Sequence, residues 1–156
     1  MDVKIVKLSK SHEFIPETIL IYKKHWPNYF SSISTDCIKN EIRDVCYQNS
    51  ISDFILITKT DNTIIGSLSI KDRMGPFLGR LSPWMTSLLV VPGYSKQKIE
   101  KILFDTVEMH LKKQFIPRIY VATDDPIFFE KKDWHIVFEN FILNDKSLFV
   151  LTKQLS

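Results

Sequence analysis

Apolar and polar positions along the chain fall into stretches of two distinct periods. Val3, Ile5 and Leu8 alternate with Lys4 and Lys7 and predict a first strand. Over residues 14–26, Phe14, Ile15, Thr18, Ile19, Tyr22 and Trp26 recur at close to a 3.6-residue period. A helix is expected there, with Pro16 tolerated in its first turn and Pro27 ending it. The polar run 31–35 supplies an N-cap for a second helix over 36–47, with Cys37, Ile38, Ile42, Val45 and Cys46 inward. Residues 53–59 and 63–71 read as strands joined across Thr60-Asp61-Asn62. Gly66, inside the second of these, signals a bulge or the close approach of another backbone. Residues 72–82, with Met74-Gly75-Pro76 and Gly79, read as a loop forming one wall of a cleft.

The strongest pattern follows. Residues 85–91 form a nearly unbroken apolar run, Pro92-Gly93 turns the chain, and a helix is expected from about Lys98. Ile99, Ile102, Leu103, Thr106, Val107, His110 and Leu111 make its inner stripe. Residues 118–123 are a short strand, nearly all apolar, as expected of one covered on both faces. Asp124-Asp125-Pro126 caps a short helix to about Lys132. Residues 134–138 and 147–153 alternate as a terminal antiparallel pair turning at Asn144-Asp145. The order is β-α-α-β-β-β-α-β-α-β-β.

Composition narrows the class. A chain of 156 residues, 44% apolar and 25% charged, suits one soluble domain over residues 1–156. No apolar run is long enough to cross a membrane, and no leader pattern opens the chain, so cytoplasm is the expected compartment. Cys37 and Cys46 lie nine residues apart in one helix and read as free thiols, at least one of them facing the core. A net charge of +3 with scattered lysines gives no nucleic-acid groove. No His, Cys and carboxylate spacing suits a metal.

Two motifs carry a resemblance. The run PWMTSLLVVPGY (83–94) with the helix after it, and T-x-x-x-x-F-F-E-K-K-D-W at residues 123–134, resemble segments of the GNAT N-acetyltransferases. They occur in the family's order and separation, and the element order matches over essentially the whole chain. The resemblance implies an α/β (α+β) GNAT fold, a mixed and mostly antiparallel sheet of about seven strands flanked by about four helices. It implies acetyl-CoA as cofactor and an amine acceptor, either a small molecule or a protein amino group. It also leaves monomer or homodimer open.

The cofactor positions that the resemblance implies are Leu89, Val90 and Val91 for the thioester and pantetheine, and Ser95, Lys96, Gln97, Lys98, Ile99 and Glu100 for the pyrophosphate, with Phe129 and Lys132 beside them. Trp26, Trp84 and Thr86 are the implied acceptor-side residues. The family's R/Q-x-x-G-x-G/A is replaced here by Ser95-Lys96-Gln97-Lys98-Ile99-Glu100, and its proton-donating Tyr by Phe129. Asp133 replaces the glycine that ends the short helix.

Acyl transfer to an amine needs a proton acceptor, N–H donors for the developing oxyanion, and a held cofactor. His25, Asp124 and Asp125 are the candidate catalytic groups, with Asp72 and His135 also considered. Asp124 and Asp125 have a competing reading as helix caps. Two functions stay open: an acetyl-CoA-dependent N-acetyltransferase, or an inactive GNAT-fold module that binds a ligand or a protein partner. The coincident departures at Ser95, Lys98, Glu100, Phe129 and Asp133 favour the second.

Overall fold

The structure is a computed structural model that describes residues 2–27, 33–47, 52–73, 81–143 and 145–155; for residues 45–47 only the backbone is described. Strands are β1 (Val3–Lys7), β2 (Asp53–Lys59), β3 (Ile64–Lys71), β4 (Trp84–Val90), β5 (Arg118–Thr123), β6 (His135–Leu143) and β7 (Lys146–Gln154). Helices are α1 (Ile15–His25), α2 (Thr35–Tyr47), α3 (Lys96–Lys113) and α4 (Pro126–Glu130), and two 3-10 turns lie between β1 and α1. One sheet holds all seven strands in the order β1-β2-β3-β4-β5-β7-β6. Every neighbouring pair is antiparallel except β4 and β5. The mixed, mostly antiparallel sheet with four helices is the expected architecture.

The two faces of the sheet build two cores. Phe54 and Leu56 point to one side, where Ile15, Ile19 and Tyr22 of α1 and Ile38 and Ile42 of α2 cover them. Ile55 and Ile57 point to the other, beneath Ile99, Leu103, Val107 and Leu111 of α3. These alternations follow from the period-2 geometry of a strand. β1 departs from the expected phase. Val6 and Leu8 are buried on the α1 side while Ile5 is exposed. The register of its pairing with β2 places Val6 opposite Leu56 and so fixes that face.

Local signals account for most boundaries. Ser34 Oγ accepts from the Cys37 amide at 3.1 Å and caps α2. The β2–β3 hairpin turns at Asn62, which takes the left-handed φ of 69° that Asn tolerates well. Cys37 is exposed, which corrects its inward assignment, and the side chain of Cys46 lies outside the described residues. Tyr29, Phe30 and most of the 72–82 loop also lie outside them. β6 and β7 are each longer than the alternating stretches predicted.

Candidate donor and acceptor clefts

β4 and β5 are paired at one register point, Trp84 opposite Tyr120, and the Tyr120 amide donates to the Pro83 carbonyl at 2.9 Å. Beyond that point toward their C-terminal ends no ladder joins them. β4 also carries a bulge. Ser67 faces Leu89 and Ser69 faces Thr86, so Ser87 and Leu88 together oppose the single residue Leu68. Ser87 adopts a φ of 56°, an unusual conformation for a residue with a β-carbon. The bulge and the opening of the sheet therefore occur side by side.

Two clefts meet at this place. One, of about 330 Å³, lies between the separating strands; Thr86, Ser87, Leu88 and Val90 line it from β4, and Val121 and Thr123 from β5. Lys96 and Glu100 of α3 and Phe128 and Phe129 of α4 close its other walls. The second, of about 480 Å³, lies on the α1–α2 side and is lined by Tyr22, His25, Trp26, Glu41, Ile42, Phe54, Lys71 and Ser87. Ser87 belongs to both linings.

Backbone geometry defines what the first cleft offers. The Val91 amide donates to the Ile65 carbonyl at 2.9 Å. Amides alternate along a strand, so that of Val90 points the other way, toward β5 and the unpaired gap. The expectation that 89–91 all face a bound arm is thus corrected. The Val90 amide faces the gap, the Val91 amide is taken by β3, and the Leu89 side chain is buried in the α1–α2 core.

Helix α3 begins at Lys96, two residues before the predicted start, with Ser95 as its N-cap. Ser95 Oγ accepts from the Lys98 amide at 3.4 Å. Lys96 and Gln97, in the first turn, have no earlier turn to receive their N–H groups, which makes them the helix's anion-facing donors. Ile99 is corrected as a ligand residue. Its amide donates to the Ser95 carbonyl at 3.0 Å and its side chain is fully buried against β3. Glu100 is not on the phosphate side of the turn either; it is turned inward and 4% exposed. Lys98 is exposed, and Lys132 lies with its ammonium 4.9 Å above the Phe128 ring.

The remaining candidates separate clearly. Phe129 lines the donor-side cleft and packs edge-on against Phe128 and Trp134, with centroids 5.0 and 5.3 Å away. His25 and Trp26 line the second cleft, where the Trp26 ring stands 5.0 Å from Tyr22. Thr86 lines the first cleft, not the second, and its hydroxyl is bound to Ser69. Trp84 is corrected as a substrate residue: it is fully buried, its indole donates to the Leu81 carbonyl at 2.7 Å, and it lines neither cleft. Asp125 caps α4, accepting from the Phe128 amide, and touches the donor cleft; Asp124 is exposed and lines neither. Asp133 takes the left-handed φ of 67° in place of glycine, with the Trp134 amide donating to the Phe129 carbonyl at 3.2 Å.

Sequence reasoning placed Ser87, with Thr86, as a hydroxyl near the acceptor side, and missed Tyr22 as a site residue. The Tyr22 hydroxyl bonds Ser67 Oγ at 2.6 Å, so a residue read as core also shapes the cleft wall. Among the described residues no cluster of three metal-ligating side chains occurs, and no helix is long and apolar enough to cross a membrane.

The fold as a whole recurs in solved structures. A GNAT-family acetyltransferase from Staphylococcus aureus is similar over 99% of both chains, at 23% identity and a TM-score of 0.67. An aminoglycoside 6'-acetyltransferase type Ii matches all of this chain and 98% of its own, at 17% identity and a TM-score of 0.76. The chain has the GNAT fold. A third GNAT-fold structure, the PaiA N-acetyltransferase from Thermoplasma acidophilum in complex with coenzyme A, covers 99% of both chains at 22% identity and a TM-score of 0.65. Neither a protein-family model nor a curated protein sequence matches the chain.

Proposed function

We propose that the chain, as one domain over residues 1–156, transfers an acetyl group from acetyl-CoA to the nitrogen of an amine. The observation that carries this reading is Ser87, which lies on a bulge and on the linings of both clefts. A donor held between β4 and β5 and an acceptor held beneath α1 would meet there. Neighbours of the fold include aminoglycoside and spermidine acetyltransferases, consistent with an amine acceptor.

The residues present fit the donor in part. The Val90 amide faces the gap, and the first-turn amides of an 18-residue helix lie at its end beside Lys96. Lys98 adds charge where the family places a small residue. Bound there, acetyl-CoA supplies an acetyl group activated as a thioester. The chain's own part is to align the two reactants, which is worth much of the barrier when reacting atoms approach closely. His25, which lines the acceptor cleft, would take the amine's proton, directly or through water. Asp125 is occupied as a helix cap, and Asp124 is exposed and lines neither cleft.

One observation favours the second reading, a binding module without turnover. Phe129 occupies the wall where a hydroxyl would protonate the leaving thiolate, and phenylalanine has no proton to give. Calorimetric titration with acetyl-CoA, with free CoA alongside, tests both. Micromolar binding, about −8 kcal/mol, followed by acetylation of any member of an amine panel, supports the enzyme. Binding without product supports the module, and absence of binding removes the acetyl-CoA reading.

A further inference from the structure

The acceptor cleft is walled by rings more than by charge. Tyr22, Trp26 and Phe54 line it, and the Tyr22 ring centroid lies 5.0 Å from that of Trp26 and 6.3 Å from that of Phe54. Pro27, Ile38 and Ile42 complete the apolar lining. The Tyr22 hydroxyl is already bonded to Ser67 Oγ, so what Tyr22 offers a ligand is its ring.

The charge of the cleft is balanced. Among the described residues Glu41 is the only carboxylate on the lining, and the residues outside them include no Asp or Glu to add another. Glu41 Oε1 stands 3.8 Å from Lys71 Nζ, so this one acid already has a cation beside it. Its side chain is 58% exposed, where salt screens the attraction that remains. Lys71 leaves β3 opposite Trp84, and Ser87 lies further along β4. By strand rise the two positions are roughly 10 Å apart. The ion pair is thus rooted away from the place where the acceptor nitrogen meets the donor.

An acceptor with several ammonium groups, such as a polyamine or an aminoglycoside, would strip water from its extra cations against ring walls, with no acid left to meet them. An amine with a single cation and an apolar body avoids that cost and gains by burying the body. We propose that the acceptor is a primary monoamine with an aromatic body, its nitrogen toward Ser87 and its ring among Tyr22, Trp26 and Phe54. This rests on the acetyl-transfer reading above and narrows it, since two neighbours of the fold are named for polycationic acceptors. Lys71 sets the selection by cancelling the only acid on the wall.

The parent protein and its Trp26→Ala, Trp26→Phe and Lys71→Gln variants would be titrated with 2-phenylethylamine, spermidine and kanamycin, with and without acetyl-CoA. Salt would be held near about 0.15 M, so that long-range attraction does not mask the preference. Thermal unfolding identifies any variant that does not fold, and Lys71→Gln, at a part-exposed side chain, carries the test if Trp26→Ala fails. The parent is expected to bind 2-phenylethylamine about tenfold or more tighter than either polycation. Trp26→Ala should weaken 2-phenylethylamine about tenfold, and Trp26→Phe should restore most of that loss. Lys71→Gln frees Glu41 and should strengthen spermidine about threefold or more. Spermidine or kanamycin bound as tightly as 2-phenylethylamine by the parent would overturn the inference. Spermidine affinity unmoved by Lys71→Gln would also overturn it, because the ion pair would then not be what excludes polycations. Binding of acetyl-CoA with no amine bound overturns the inference and leaves the donor reading standing. Absence of acetyl-CoA binding defeats the reading above, and the titrations without donor then decide the inference alone.

Discussion

The Cγ2 methyl of Ile99 lies 2.6 Å from the point that a β-carbon on Gly66 would occupy. Real β-carbons do not come that close to a neighbour, so glycine here is a packing requirement of helix α3 on strand β3. Ile99 is fully buried and has no open side to yield into. Gly66→Ala is expected to destabilise the fold by about 1–3 kcal/mol in urea denaturation. Combined with Ile99→Ala, the total should fall short of the sum of the two single effects, because the second change removes the clashing methyl. Strict additivity would show that the crowding is relieved elsewhere.

Ser87 bears its side chain at a φ of 56°. A β-branched residue fits that conformation poorly and glycine fits it well. Ser87→Val should cost about 1–2 kcal/mol of stability and should weaken acetyl transfer, if transfer is detected, by straightening the bulge. Ser87→Gly should keep both within a small margin of the parent. A valine variant as stable as the parent would mean that the bulge is not held at this residue.

Phe115 ends helix α3 at a φ of 59° and is 93% exposed. The Ile116 amide donates to the Leu111 carbonyl and the Phe115 amide to that of Lys112, each at 3.0 Å, the pattern of a left-handed helix end. Phe115→Gly is expected to raise stability by about 1 kcal/mol, a few degrees in Tm, with donor binding unchanged. A fall in Tm would mean that the exposed ring is held by contacts formed in solution.

Phe129→Tyr places a hydroxyl at the wall of the donor cleft. If an absent proton donor limits transfer, kcat should rise by about tenfold or more, with little change in acetyl-CoA affinity. An unchanged kcat with a loss of about 1–3 kcal/mol in stability would show the hydroxyl buried without a partner.

The Asp61 carboxylate is held below its ordinary titration range by hydrogen bonds from Thr63, whose amide donates to it at 3.1 Å. A depressed carboxyl stabilises the fold above the unfolded pKa of about 4, and the contribution is lost as pH falls through the folded value. The stability difference between the parent and Asp61→Asn should therefore be full above about pH 5 and narrow as pH falls below about 4.

Much of this architecture was legible from period and punctuation. Strands β2 and β5 fall over the predicted 53–59 and 118–123, and Asn62 and Gly93 mark turns that take a positive φ. The misreadings have physical causes. β1 is covered unevenly on its two faces, so a six-residue pattern fits two opposite phases, and the choice was made by the pairing of Val6 with Leu56. The first turn of α3 is Lys96-Gln97-Lys98, which shows no apolar period, so the helix was predicted two residues late. Glu100 follows Ile99 along the buried stripe toward Leu103 and Val107, but its charge argued for the outside. Trp84, implied on the acceptor side, is buried, and Tyr120, whose ring centroid lies 5.5 Å away, belongs to a strand distant in sequence. The bulge at Ser87 was invisible for a related reason, since a bulge is a mismatch between two strands and neither strand records it alone.

The single register point between Trp84 and Tyr120 has a mechanical consequence. Beyond it, the half-sheet β1-β2-β3-β4 and the half-sheet β5-β7-β6 are coupled by helix α3 and its core rather than by backbone pairing. An extended ligand that accepts from the Val90 amide on one side and touches β5 on the other would serve as a short additional strand. The halves would then move as one plate, and amides near the mouth of the gap would exchange with solvent more slowly when the ligand is seated.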